Sequence, residues 1–174
     1  MDISDTQALV FLIVTLPSCL WAAWSDMRRM KIPNRANDIM FAAFVVAGGG
    51  LVLWGGDPDW NWSDYLWRYA HFAVALVIGM AMTAARLMGA GDAKFLAAAA
   101  PFVALGDLGL LAILYLAVLI VTFILHRIAR ATPIRNLAPG WTSWEPGKRF
   151  PMGLAFGVTL PLYFLLALVD LPRL

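Results

Sequence analysis

The chain has 174 residues, of which 61% are hydrophobic and only 14% are charged. Since about a quarter of the residues in a soluble domain are charged, this balance excludes an ordinary soluble domain and indicates a polytopic membrane protein. The small net charge of +2 argues against nucleic-acid binding, and the single cysteine, Cys19, excludes an intrachain disulfide or a cysteine-based metal site.

Two apolar runs with a basic loop between them open the chain. Residues 8–24 are just long enough to cross a hydrocarbon core of about 30 Å, and residues 39–54 form the second predicted span. The loop at residues 25–37 turns at Ile32-Pro33-Asn34, because a proline disfavours helical geometry in the residue before it. Asn37 is the candidate N-cap of the second helix.

An aromatic loop and a glycine-rich motif flank the third predicted span, residues 70–88. The loop after Trp54 holds acidic residues among tryptophans and tyrosines, which is typical of an aromatic belt at the headgroup interface. After the span comes Gly89-Ala90-Gly91-Asp92-Ala93-Lys94, a carboxylate held between glycines and followed by another apolar run. Placing an ionisable residue within a membrane segment costs free energy, so its presence there indicates a functional role.

The next apolar stretch, residues 95–125, would measure about 46 Å as one helix, which is too long for a single upright span. Gly106-Asp107-Leu108-Gly109 is the natural break, so we expect segments at residues 95–105 and 108–125. A polar loop at residues 126–150 and a last span at residues 151–169 complete the chain.

Basic residues are distributed unevenly between the two sets of loops. The loops after spans one, three and five, at residues 25–37, 89–94 and 126–150, together hold ten of the thirteen basic residues, and Arg86 lies at the same end of span three. The opposite side holds Arg68 and Arg173. Because basic loops favour the cytoplasm, the sequence predicts an all-α bundle of six transmembrane segments in the inner membrane, with both termini outside.

This topology places Asp26, at the end of span one, and Asp92 on the same cytoplasmic side. Two neighbouring carboxylates tend to share one proton, so one can act as a base on water while the other acts as an acid on the peptide carbonyl or leaving amine. This chemistry needs no metal and no cofactor. Two structural interpretations stay open: Asp26 pairing with Arg28 or Arg29 at the interface, and Asp92 capping a helix.

At these residues the chain resembles the type IV prepilin peptidases, which are membrane aspartic proteases of the Gly-x-Gly-Asp class. The resemblance rests on Asp26 with Ile32-Pro33-Asn34, on Gly89-Ala90-Gly91-Asp92-Ala93-Lys94, and more loosely on Phe150-Pro151-Met152-Gly153. It implies that Asp26 and Asp92 are the catalytic pair and that the substrate is a prepilin, whose short basic leader is cut just before its hydrophobic segment at the cytoplasmic face. The substrate-binding or motif-supporting residues it implies are Gly89, Gly91, Lys94, Ile32, Pro33, Asn34, Pro151 and Gly153.

Larger members of that family carry a cytoplasmic insert with cysteines and also N-methylate the new amino terminus. This chain has no room for the insert, so it resembles the short, peptidase-only form associated with tight-adherence (Flp-type) pili, without methyltransferase activity. The archaeal preflagellin peptidases share the aspartate motifs and stay open as an alternative. The loop at residues 126–150, with Trp141 and Trp144, is a candidate lid over the site.

Two other classes of function fit the same physical features. A small proton-coupled transporter also uses membrane-embedded acids and broken helices, although it favours acids near the midplane and access from both sides. A non-enzymatic pilus assembly subunit would use Asp92 to pair with a partner helix. Only the peptidase hypothesis predicts cleavage of a prepilin.

Overall fold

The computed structural model describes residues 1–145 and 150–169, and the regular structure in these ranges is entirely helical. Residues 146–149 of the candidate lid and the C-terminal residues 170–174, predicted to lie outside, are not among the described residues. The helices of ten or more residues are α1 (Asp5–Arg29), α2 (Asn34–Trp54), α3 (Trp62–Ala84), α4 (Ala90–Ala99), α5 (Leu108–Ala131) and α6 (Met152–Leu168).

Four helical stretches in the described part of the chain are long and apolar enough to cross a membrane: α1, α2, α3 and Leu105–Ala131, which includes α5. The protein is therefore a multi-pass membrane protein. The helix α6 has 17 residues, and α4 has 10, equivalent to about 15 Å or half of a hydrocarbon core. Six full crossings stay a prediction.

The predicted break in the long fourth apolar run is confirmed. The helix α4 ends at Ala99, and two 3₁₀ turns, Ala100–Phe102 and Leu105–Asp107, lead into α5. Pro101 lies in the first of these turns, where a missing backbone N–H costs least. This break lets α4 and α5 pack as separate helices.

The predicted N-cap of α2 is wrong, and α3 begins before the predicted third span. The helix α2 begins at Asn34 directly after Pro33, so Asn37 is a buried residue of the first turn and not the N-cap. The helix α3 begins at Trp62, eight residues before the predicted start at residue 70. The side chain of Asn61 accepts hydrogen bonds from the backbone N–H groups of Ser63 and Asp64 in a capping box.

The aromatic-belt interpretation is wrong for two of the aromatic residues. Trp60 and Tyr65 are 4% and 7% exposed, respectively, and belong to the core. The Trp60 indole Nε1 donates to the carbonyl oxygen of Gly48 at 2.9 Å, and the Tyr65 ring stacks on Phe44 with centroids 5.5 Å apart. These contacts join the connection between α2 and α3 to the interior of the bundle.

The end of the bundle that holds the N-terminus is closed by buried acids. Asp57 and Asp107 lie in connections between apolar runs, yet both are buried. Asp57 accepts from Gln7 Nε2 at 2.8 Å and from the Ser4 hydroxyl. Asp107 accepts from the Tyr163 hydroxyl at 2.7 Å and from the backbone N–H of Asp2 at 3.0 Å. Hydrogen bonds offset the cost of burying these carboxylates.

The helix α6 packs most closely against α1. A Cβ atom added at Gly157 would lie 2.5 Å from the carbonyl oxygen of Cys19 and 2.9 Å from the Cβ atom of Ala23. Because the first of these atoms belongs to the backbone, it cannot move aside without separating the helices. Gly157 therefore sets the distance between α1 and α6.

We expect Gly157→Ala to destabilise the protein by about 1–3 kcal/mol, the usual cost of overpacking a core. The measurement is the free energy of unfolding in detergent micelles. Gly109→Ala is the matched control, because no atom lies within 4 Å of a Cβ added there. Equal stability of the two variants would contradict this account of the α1–α6 contact.

Candidate active site

Asp26 lies in the last turn of α1, where the chain turns back towards α2. The side chain is only 5% exposed. The helix ends at Met30, which has a left-handed φ of 55° and donates its N–H to the carbonyl oxygen of Asp26. The Ser25 hydroxyl donates to the carbonyl oxygen of Lys31 at 2.8 Å and stabilises the turn. Asp26 was predicted at the end of span one, and α1 extends past it to Arg29.

The start of α6 meets the Asp26 carboxylate. The backbone N–H of Gly153 donates to Asp26 Oδ2 at 2.7 Å. Free N–H groups and the positive end of the helix dipole make a helix N-terminus favourable for an anion. A Cβ atom at position 153 would lie 2.8 Å from the Asp26 Cβ atom, so this approach requires glycine. Pro151, the N-cap residue of α6, is buried beside it.

Asp92 lies in the first turn of α4, with Gly89 as the N-cap residue. The side chain is half-buried, and burial raises the pKa of its carboxyl, while a hydrogen bond from the backbone of Gly89 offsets part of this rise. Gly91 lies against the turn before α2, since a Cβ atom there would be 3.3 Å from the carbonyl oxygen of Ile32. The two glycines thus position the start of α4.

The structure brings Asp26 and Asp92 to the same end of the bundle. Gly91, next to Asp92, lies against Ile32 in the turn that follows α1, although 65 residues separate the two acids along the chain. Aromatic contacts hold the neighbouring helices together: the Phe156 ring on α6 lies 6.1 Å from Phe95 on α4 and 5.1 Å from Tyr115 on α5. Two such acids, one ionised and one protonated, can supply a base and an acid to one reaction.

The sequence profile of the type IV leader peptidase family matches residues 13–126, about two thirds of the chain, and the matched region includes both acids. The chain belongs to the type IV leader peptidase family. No curated protein and no solved structure matched the chain. The family resemblance inferred from the aspartate motifs is therefore confirmed, whereas the roles of individual residues stay predictions.

In this leader peptidase, Lys94 lies apart from the two acids. Its Nζ atom donates to Asn34 Oδ1 at 3.2 Å and so joins α4 to the first residue of α2. On a helix, residues two apart point to nearly opposite faces, so Lys94 and Asp92 lie on different sides of α4. Four of the predicted motif-supporting residues therefore lie in two places: Gly153 and Pro151 beside Asp26, and Asn34 with Lys94 on the far side of α4.

Aromatic side chains from the candidate lid pack beside the end of α1. The Trp141 ring contacts Trp24 at 5.1 Å and Trp144 at 5.6 Å, and Trp144 stacks on His126 at 5.0 Å. Trp144 Nε1 also donates to the carbonyl oxygen of Ala138 at 2.9 Å. The described part of the loop is therefore packed against the bundle close to Asp26. Its role as a lid stays a prediction.

Tyr115 was not predicted to lie near the site. Its ring stacks on Phe156, which also lies beside Phe95, three residues after Asp92 on α4. Tyr115 lies in an apolar run, seven residues after Leu108, and its position in the sequence did not indicate a place near the site. A tyrosine in a predicted span is as consistent with helix packing as with a functional role. Among the described residues, no group of three or more His, Cys, Asp or Glu side chains is arranged to hold a metal ion.

The raised pKa of Asp92 gives stability a predictable pH dependence. A buried acid whose pKa is raised destabilises the folded state once pH exceeds the pKa of the unfolded chain, because ionisation is easier after unfolding. We therefore expect Asp92→Asn to unfold at a higher temperature than wild type at pH 7, with a rise of about 2–4 °C for each kcal/mol gained. This difference should shrink as pH falls towards 4.

The measurement is thermal unfolding in detergent at several pH values. Asp59→Asn removes an exposed acid and is the control, for which we expect no such difference. If Asp92→Asn were less stable than wild type at pH 7, the carboxylate would be stabilising the fold and this account would be wrong.

Proposed function

We propose that this protein is a membrane aspartic endopeptidase that removes the short basic leader from type IV prepilins of the Flp type. The observation that carries the proposal is that the end of α1 and the start of α4, each with one acid, lie at the same end of the bundle in a member of the leader peptidase family. Because the two acids are far apart in sequence, only the fold can place them at one site.

In the proposed reaction, one carboxylate takes a proton from a water molecule, whose oxygen attacks the carbonyl carbon of the scissile peptide bond. The other carboxyl, protonated at the start, donates its proton to the substrate oxygen and so stabilises the tetrahedral intermediate. When the C–N bond breaks, the leaving amine takes a proton from the acid that collected it, and one hydroxyl of the intermediate returns its proton to the other carboxylate, which restores both acids to their starting states. The hydrogen bond from the Gly153 N–H would keep Asp26 oriented during these steps.

The orientation in the membrane follows from charge. The basic residues Arg28, Arg29, Lys31 and Arg35 lie around the turn next to Asp26 and are exposed. Basic loops favour the cytoplasmic side, which supports a site that opens to the cytoplasm and termini that lie outside. The leader of a membrane-inserted prepilin would reach the two acids from that side.

A groove beside Asp26 supports the accommodation of the substrate's hydrophobic segment. This groove of about 620 Å³ lies between α5 and α6 and begins at Met27, next to Asp26. Leu154, Val158 and Leu162 form its α6 side at four-residue spacing, facing Leu114 and Val118 of α5. We propose that the apolar segment after the cleavage site lies here, since its position places the scissile bond near Asp26.

We propose cleavage without N-methylation, as in the short form of the family; the one cysteine in the sequence, Cys19, is buried in α1. The assay below uses a prepilin and a preflagellin in turn, and so shows which of the two the protein cleaves.

The test is coexpression of the protein with a Flp-type prepilin in cells that lack another leader peptidase. We expect the prepilin to shift to a smaller size on a gel, and mass spectrometry should find an unmethylated new amino terminus. A preflagellin serves as the second substrate. If the leader stays on the prepilin, the protein is not its peptidase; a transporter or an assembly subunit would give that result.

A further inference from the structure

A second cavity opens between α2 and α3 on the far side of α4 from Asp92. This α2–α3 cleft has a volume of about 610 Å³, and α4 closes one end of it through Lys94. The other walls come from α2 residues between Asn34 and Val46 and from Phe72 and Leu76 on α3. The proposed peptidase reaction uses none of this space.

The end of the cleft near Lys94 is polar. Lys94 and Asp38 are both exposed there, with opposite charges, and Asn34 accepts a hydrogen bond from Lys94. Asn37 is only 4% exposed, yet neither its Oδ1 nor its Nδ2 atom has a hydrogen-bond partner. Because buried amides almost always have partners, an unpaired amide in the wall of a cavity indicates a ligand that supplies them.

The rest of the cleft is apolar and faces the membrane. Phe41, Val45 and Val46 on α2 and Phe72 and Leu76 on α3 provide its walls. From Asn34 to Val46 the cleft follows α2 for about 18 Å, close to the depth of one leaflet, which is half of the hydrocarbon core of about 30 Å. A polar end joined to an apolar groove of this length matches a single lipid molecule.

We propose that the α2–α3 cleft binds one membrane phospholipid whose headgroup carries both a phosphate and an ammonium group. The phosphate pairs with Lys94 and the ammonium pairs with Asp38, while an acyl chain covers Phe41 and Phe72. The Asn37 amide, which is closed off in the lipid-free protein, rotates towards the cleft on binding, so that Nδ2 donates to an ester carbonyl of the lipid. The opposite charges of Lys94 and Asp38 favour this headgroup over one that is purely anionic, which would meet Asp38 unfavourably. Since Lys94 and Asp92 share α4, the lipid packs against the back of the helix that carries the proposed catalytic acid.

The test uses purified, delipidated protein in detergent, with phosphatidylethanolamine as the probe and diacylglycerol with the same chains as the comparison. A ligand that binds only the folded state raises the unfolding temperature. We expect phosphatidylethanolamine to raise it in wild type and diacylglycerol, which lacks the headgroup, to raise it much less. Equal effects of the two lipids would overturn the headgroup contacts, and so would an equal effect of phosphatidylglycerol.

Two variants locate the site. Ala42→Trp fills the cleft, and Ala73→Trp places the same side chain on an exposed position of α3 outside it. We expect Ala42→Trp to weaken the apparent affinity for phosphatidylethanolamine by about 10-fold or more, a loss of about 1.4 kcal/mol in binding, and Ala73→Trp to match wild type. Native mass spectrometry of the lipid retained on each variant provides a second measurement.

Asn37→Leu is a second test of the cleft, which applies even if Ala42→Trp fails to fold. Removing an unpaired buried amide should leave the lipid-free protein at least as stable as wild type, while the temperature rise caused by the lipid becomes smaller. An unchanged rise would overturn the proposal. So would a loss of prepilin cleavage in Ala42→Trp with lipid binding intact, because the cleft would then hold the substrate's hydrophobic segment.

Discussion

Replacing Asp92 or Asp26 with asparagine is expected to lower the rate of prepilin leader cleavage by about 10²–10⁴-fold, the usual contribution of a general acid or base. Asparagine keeps the size and most hydrogen bonds of aspartate but can neither take nor give up the proton that the reaction moves. Because the two acids act as a unit, the double variant should be little slower than the single variants.

The rates are measured as initial rates of leader removal by purified enzyme in detergent or nanodiscs. Asp59→Asn is the control, since Asp59 is an exposed acid in the connection between α2 and α3 and should leave the rate unchanged. Thermal unfolding of each variant separates loss of chemistry from loss of fold. Near wild-type cleavage by either Asp26→Asn or Asp92→Asn would remove that residue from the mechanism.

Gly153→Ala is expected to lower cleavage by about 10²-fold, because it displaces the Asp26 carboxylate without removing it. The added Cβ atom would lie 2.8 Å from the Asp26 Cβ atom and 2.9 Å from Oδ2, so the 2.7 Å hydrogen bond from the Gly153 N–H must lengthen. A misplacement of about 1 Å at a reacting group costs this order of rate. The loss should appear mainly in kcat, because the groove proposed for the substrate is not altered.

Gly140→Ala is the matched control, since no atom lies within 4 Å of a Cβ added there and the residue is exposed. A fully active Gly153→Ala enzyme would show that the contact between α6 and Asp26 does not orient the carboxylate. Loss of folded protein would instead assign Gly153 to the packing of α1 against α6.

Local sequence predicts much of the architecture. The apolar runs predict the helices in order, because the hydrocarbon core accepts only backbone that satisfies its own hydrogen bonds. Pro33 and the pair Gly106-Asp107 mark turns for the same local reason, and the structure has a helix boundary at each. The residues around Asp26 and the Gly-x-Gly-Asp motif resemble those of the leader peptidases, and the family profile confirms this resemblance.

Helix boundaries and burial were predicted less well. The capping box at Asn61 extends α3 backwards through residues that were assigned to an interfacial loop. Trp60 and Asp107 lie in connections that read as surface loops, yet both residues are buried. Hydrogen-bond partners elsewhere in the chain satisfy their polar atoms. The residue type predicts only how buried such residues are on average. Whether a particular polar residue is buried depends on the hydrogen-bond partners that the fold brings to it.

The sequence by itself determined that this is a helical membrane protein of the leader peptidase family, with two acids at the ends of apolar segments. Only the tertiary structure decided what surrounds each acid: the Gly153 N–H on Asp26, the contact of Gly91 with Ile32, and the position of Lys94 on the opposite side of α4. The reason is that hydrophobic periodicity is a property of neighbouring residues, while the approach of α6 to α1 depends on the fit of two surfaces far apart in the chain.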